Sequence, residues 1–105
     1  MDSRTFGTDT YKELNDFEHA FQDLAKAIAI NPKYAAAYNN RGLLFASQND
    51  YTRAIREYDE AIRADPNDAF AFNNRGDAKL KLGDLTGSQM DLARGKALLG
   101  NSGMP

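Results

Sequence analysis

The sequence predicts an all-α protein made of stacked helical hairpins, and three observations lead there. The stretch AYNNRG at residues 37–42 returns as AFNNRG at residues 71–76, an offset of 34 residues. Self-similarity at a period of roughly 20–50 residues is the mark of a stacked array. Within each period the apolar residues fall on one stripe of a 3.6-residue helix. The same turn letters then close each helix at the same offset.

Placing residues 35–68 over residues 69–102 gives nine identities in 34 positions, among them Asn39, Asn40, Arg41 and Gly42 against Asn73, Asn74, Arg75 and Gly76. Residues 1–34 fall into the same register late, with six matches to the second copy. The expected organisation is one domain over 1–105. It has a partial first repeat (1–34), a full second (35–68), a degenerate third (69–100) and a disordered tail (100–105), or about 2.5–3 antiparallel helix pairs.

In the first copy, Phe17, Ala20, Phe21, Leu24, Ala27 and Ile28 form a stripe with steps of 3, 1, 3, 3 and 1. Asn15-Asp16 should precede it as a turn, with Asp16 as N-cap. Residues 1–10 lack the large-then-glycine signature. Either residues 1–14 form an irregular helix over this stripe, or another chain covers it, as in a homodimer through the N-terminal end. A cut from a longer array is a further reading.

In the second copy a first helix is expected from about Ala35 to Gln48. The turn Asn49-Asp50 follows: Asn tolerates the left-handed conformation that ends a helix, and Asp caps the next one. The second helix carries the same stripe as Tyr51, Ala54, Ile55, Tyr58, Ala61 and Ile62. Asn31-Pro32 and Asp65-Pro66 separate the copies, because proline suits the opening of a helix and not its interior. Gly42 and Gly76 lie inside helices, where glycine costs ~1 kcal/mol relative to alanine. Their recurrence implies close approach of the paired helices, with Ala54 and Ala61 on the facing stripe.

In the third copy a helix from about Ala69 to Leu82 is followed by Gly83-Asp84. The last stripe decays to Leu85, Ser88, Gln89, Leu92, Gly95 and Lys96. Gln89 and Lys96 stand where isoleucines stood, so no fourth copy is expected to stack there. Leu85, Leu92, Leu98 and Leu99 should still pack inward. Gly87 and Gly95 should soften this helix, with fraying after about Leu99.

Tyr38, Gly42, Phe45, Ala54, Tyr58, Ala61 and Pro66 give large, small, aromatic, small, aromatic, small and proline in order. Phe72, Gly76 and Leu92 continue the pattern, as do Tyr11, Ala20, Leu24, Ala27 and Pro32 in the first copy. This resembles the tetratricopeptide repeat (TPR), although Arg41 replaces the usual leucine and Gly100 the last proline. The resemblance implies a right-handed α-α superhelix whose concave face holds a peptide or partner protein. It implies a groove lined by Ala36, Asn39, Asn40, Leu43 and Ser47, then by Phe70, Asn73, Asn74, Asp77 and Lys81. Asparagine offers a donor and an acceptor together and can grip an extended backbone without reading its sequence. The alternative is that these amides bond within the stack. Family members that hold the acidic C-terminus of heat-shock proteins use Lys, Asn and Arg there. Only Asn40 matches that set; Thr5, Asp9, Phe70 and Asn74 replace the others, so that subtype is not expected.

Composition narrows the function further. A net charge of −2 gives no broad attraction to nucleic acid or to an anionic membrane. The absence of cysteine removes disulfides and thiolate zinc sites. No signal-peptide pattern opens the chain, which leaves the cytoplasm as the default expectation. The one histidine, His19, has no triad partner in the sequence, and no EF-hand spacing or glycine-rich phosphate loop occurs. The expectation is therefore no enzyme, cofactor or metal, but a protein-interaction module that uses its groove. The alternative is a self-assembling segment that uses its ends. The paired Arg41 and Arg75 suggest a structural ion pair, with Asp65 or a loop carbonyl as partner, or else contacts to an acidic partner.

Overall fold

The computed structural model describes residues 2–103, with side chains from 16 to 100. Five helices follow one another: α1 (Asp2–Ile30), α2 (Ala35–Ser47), α3 (Tyr51–Ala64), α4 (Ala69–Lys81) and α5 (Leu85–Gly103). Helices α2 and α3 form one antiparallel hairpin, α4 and α5 a second, and α3 packs on α4 to join them. Among the described residues helix α1 packs on α2, and α2 also reaches α4. The result is two hairpins preceded by a single helix, which agrees with two and a half copies.

The turns form where the sequence placed them in copies two and three. Asn49 takes φ 63° and Gly83 takes φ 88°, the left-handed conformation that lets the chain reverse. Asp50 then accepts a bond from the Arg53 N–H at 3.2 Å, and Asp84 from the Gly87 N–H at 2.9 Å. Asp68 accepts from the N–H groups of Phe70 and Ala71 and opens α4.

The first copy departs from expectation. Helix α1 runs unbroken through Asn15 and Asp16, so no turn forms there and Asp16 caps nothing. Each full hairpin has a Gly42 or Gly76 against which its second helix closes. The corresponding position in the first copy is Thr8, not glycine, and an uninterrupted ladder of i to i−4 bonds is then the better state.

The core is thin and built from small residues. Ala54, Tyr58 and Ala78 are its centre, with Phe45, Ala46, Tyr51 and Ile55 packed against them. On α3 the predicted stripe is the buried one: Ala54, Tyr58 and Ala61 are inaccessible and Tyr51, Ile55 and Ile62 half-buried. On α1 all six stripe residues are half-buried. Phe21 meets the Phe45 ring of α2 at 4.9 Å between centroids, tilted by 48°. Helices lined with alanine can approach closely, and interdigitation rather than bulk holds them.

Gly42 and Gly76 do mark close approaches, but not to Ala54 and Ala61. A Cβ on Gly42 would run into the Tyr58 ring, and one on Gly76 would lie 2.9 Å from Leu92 and 3.1 Å from the Ser88 carbonyl. Gly95, read as a weakening residue, is also buried. A Cβ there would meet the Asn73 amide and lie 3.2 Å from the Ala69 carbonyl oxygen. It thus lets α5 close on α4.

The last helix buries a different set from the one its letters suggest. Ser88, Asp91 and Gly95 are buried and Leu92 and Leu98 half-buried, while Leu85 and Leu99 are exposed. Gln89 and Lys96 face solvent, as an uncovered end requires. The helix continues to Gly103 instead of fraying after Leu99; residues 104 and 105, the rest of the expected disordered tail, lie outside the described residues. A helix already begun on packed turns extends at one hydrogen bond per residue fixed.

Candidate partner-binding groove

Three depressions share Leu43, which is 45% exposed. The middle one, of about 530 Å³, lies between α2 and α4. Ala36, Asn39, Asn40 and Leu43 line it from α2, and Phe70 and Asn74 from α4. Asp65 and Asp68, from the α3–α4 link, complete its rim. The second depression adds Asp77 and Lys81 beside Tyr58. The third lies toward α1, where Ala20, Asp23 and Leu24 face Asn40 and Leu44.

Eight of the ten residues expected in the groove therefore line it. Ser47 does not: it is exposed and its hydroxyl donates to the Leu44 carbonyl at 2.6 Å. Asn73 does not either, because its amide is turned against Gly95 of α5. Consecutive helix residues lie about 100° apart, and on α4 Asn74 lines the groove while Asn73 turns toward α5. The division is visible in Asn39, which is 8% exposed and accepts a bond from the Asn74 Nδ2 at 2.8 Å. That bond ties α2 to α4 across the repeat boundary. Asn40 stays exposed on the groove.

Asp23, Asp65 and Asp68 escaped the sequence reading. Asp65 was legible only as a link residue and a candidate arginine partner, Asp68 was not singled out, and their place in the lining follows from how α3 hands over to α4. Asp23 reaches the groove because α1 packs beside α2.

The cations meant for structure lie elsewhere. Arg75 makes two bonds to Asp91, each 2.8 Å, and a third to Asp59 at 2.9 Å. Lys79 adds its ammonium to Asp91 at 3.0 Å. One copy earlier Arg41 stands 3.0 Å from Glu57, the residue 34 positions before Asp91. The partner is thus an acid 16 residues on, in the second helix of the same hairpin, and not Asp65. Each arginine also lies over the aromatic ring one turn before it, Arg41 on Tyr38 at 5.7 Å and Arg75 on Phe72 at 5.4 Å.

These contacts set the charge states. The bidentate bond to Asp91 pushes the Arg75 guanidinium up; burial opposes this, and Asp59 adds to it. For Asp91, burial works against the charged form, but the bonds and charges of Arg75 and Lys79 outweigh it and hold the carboxyl below its ordinary value. Burial, with a smaller contribution from the Asp77 charge, pushes the Tyr58 phenol up to about 12. Among the described residues no three His, Cys, Asp or Glu side chains converge as a metal site. His19 is exposed on α1. No helix among the described residues is long and apolar enough to cross a membrane.

Several solved structures share this architecture. A MamA crystal structure superposes with a TM-score of 0.78 at 24% identity over 86% of this chain and 53% of its own. This chain thus spans about half the length of the MamA chains it matches. The second TPR of Spaghetti (RPAP3), bound to the HSP90 peptide SRMEEVD, gives a TM-score of 0.75 at 24% identity, covering 86% of this chain and 83% of that one. The TPR2B domain of yeast Sti1, in complex with pHsp70, gives 0.78 at 22% identity, covering 89% and 74%. At these identities the likeness is one of fold. No curated protein sequence matches the chain. The TPR repeat model matches residues 9–48 and again 42–83. The 34-residue period, the helix pairs closed on glycine and this match together make the chain a member of the TPR repeat family.

Proposed function

We propose that the chain is a non-catalytic interaction module that holds an extended peptide of a partner protein in the groove centred on Leu43. The observation that supports this most directly is the exposed Asn40 amide and the half-buried Asn74 amide, one repeat apart, on either side of an exposed leucine. Such a surface offers an apolar anchor with polar groups that can fix a peptide backbone. Solved relatives of the same fold carry peptides of HSP90. The groove's own residues argue against an acidic peptide terminus here, since Phe70 and Asn74 supply no cation.

Selection from a displayed peptide library tests the reading. Peptides enriched on the native protein should lose binding to Asn40→Ala/Phe70→Ser, with helicity by circular dichroism unchanged. Equal retention by that variant would exclude the groove.

A second reading, assembly through the ends, has one observation in its favour. Ile30 is 85% exposed at the end of α1, and among the described residues α1 packs on α2 only. A sedimentation coefficient that rises with protein concentration, unaffected by the groove variant, would select it.

A further inference from the structure

We infer that the groove selects a cationic peptide, one in which lysine or arginine flanks an apolar side chain; this rests on the groove reading above. The argument is a count of charges by place. Among the described residues, five charged side chains line the three depressions: Asp23, Asp65, Asp68, Asp77 and Lys81. Four are acids. None of those four forms an ion pair with a lysine or arginine among the described residues. Of the paired acids, Glu57, Asp59 and Asp91 answer cations between the helices, and Asp50 and Glu60 pair locally along α3.

The fold thus separates compensated from uncompensated charge. Arg41 and Arg75 are turned between the helices by the acids opposite them, and so contribute nothing to the groove. Asp65 and Asp68 each give one carboxylate oxygen to a local backbone N–H, from Asn67 and from Phe70 and Ala71. Those bonds fix the carboxylates in place without neutralising them. Leu43, 45% exposed, and Phe70, 66% exposed, line the same depression as Asp65 and Asp68. Apolar surface with an acid in each of the three depressions matches a leucine-like anchor between two cations. It repels a peptide such as an acidic chain terminus, because like charges brought together across an interface disfavour the wrong partner.

The test uses two synthetic peptides, capped at both ends and labelled. One carries lysines around a central leucine, the other glutamates at the same positions. Fluorescence anisotropy should show the lysine peptide bound at low salt and weakened by added salt, with the glutamate peptide at least about tenfold weaker. The variant Asp23→Asn/Asp65→Asn/Asp77→Asn should lose about tenfold in affinity for the lysine peptide, with an unchanged melting curve. Leu43→Ser should weaken the same peptide. Binding of neither peptide, equal binding of both, or no effect of the triple variant overturns the inference. If both peptides bind equally and both are lost in Leu43→Ser, the groove still holds peptides and only the charge selection falls. If the lysine peptide ignores Leu43→Ser, the groove reading falls with it.

Discussion

The Tyr58 ring occupies the space that a side chain on Gly42 would need. A Cβ on Gly42 would lie 2.7 Å from Tyr58 Cδ1 and closer still to Cε1. Tyr58 is also the largest fully buried side chain described, so the ring has nowhere to go. The repeated glycine is thus the other half of a ring-into-gap contact that closes α2 on α3.

Gly42→Ala should therefore destabilise the protein. Alanine gains about 1 kcal/mol of helix propensity, but overpacking costs about 1–3 kcal/mol. The expected balance is a loss of about 1 kcal/mol, a fall in Tm of about 4–8 °C. Gly100→Ala is the control: a Cβ there meets nothing within 4 Å, and thermal melting should show Tm unchanged or raised.

The two arginine pairs should not weigh the same. Asp91 is buried and accepts two aligned bonds from Arg75, whose side chain is 19% exposed. Asp91→Ala should cost about 2–3 kcal/mol, below the ~3–5 kcal/mol of breaking a wholly buried pair, because water reaches Arg75. Arg41 and Glu57 are close, yet the Arg41 Nε and the Glu57 Oε1 find no aligned hydrogen-bond partner among the described residues. Glu57→Ala should then cost about 1 kcal/mol or less. Urea titrations of both variants would separate these values.

The stronger pair also predicts an acid response. Asp91 is held below the ordinary aspartate value of 3.8, so the folded state takes up its proton later than the unfolded one. Its contribution is complete above about pH 4 and is lost as pH falls through the lowered folded-state value. Asp91→Ala should accordingly show a flatter fall of Tm below about pH 4 than the native protein.

How much of this was legible in the sequence varies by residue and for physical reasons. Helix positions, the turns at Asn49 and Gly83 and the buried stripe of α3 follow from local periodicity and from which residues tolerate positive φ. The break at Asn15-Asp16 looked the same in letters, but a turn forms only when the helices it joins have faces to bury. Arg41 and Arg75 could be read as paired because they recur. Their partners could be found only by noticing that Glu57 and Asp91 share the same 34-residue offset. Of the groove, the family resemblance pointed to four α2 residues that line the depressions, Ala36, Asn39, Asn40 and Leu43, and to Ser47, which does not. It also pointed to Asn73, but adjacent positions on a helix face different ways and Gly95 takes its amide.

Asn39 and Asn40 should separate stability from binding. Asn39→Ala removes the bond to Asn74 across the repeat boundary and should cost about 0.5–1.5 kcal/mol. Asn40→Ala, on an exposed residue, should leave stability within about 0.5 kcal/mol of native and affect only peptide affinity. Melting curves and anisotropy on the same two proteins would check both halves.

Tyr58 predicts the opposite pH limb. Its phenol is pushed from 10.0 up to about 12, first by burial and then by Asp77, so the folded state keeps its proton while the unfolded chain loses it. The stability this lends is present in full below about pH 10 and drains as pH rises toward about 12. An ultraviolet titration should show the Tyr58 phenol ionising late, together with loss of helicity. Tyr58→Phe keeps the ring against Gly42 and has no proton to lose. It should match the native protein near neutrality and hold its helices better above pH 10; identical alkaline curves would show that the phenol is not the group under strain.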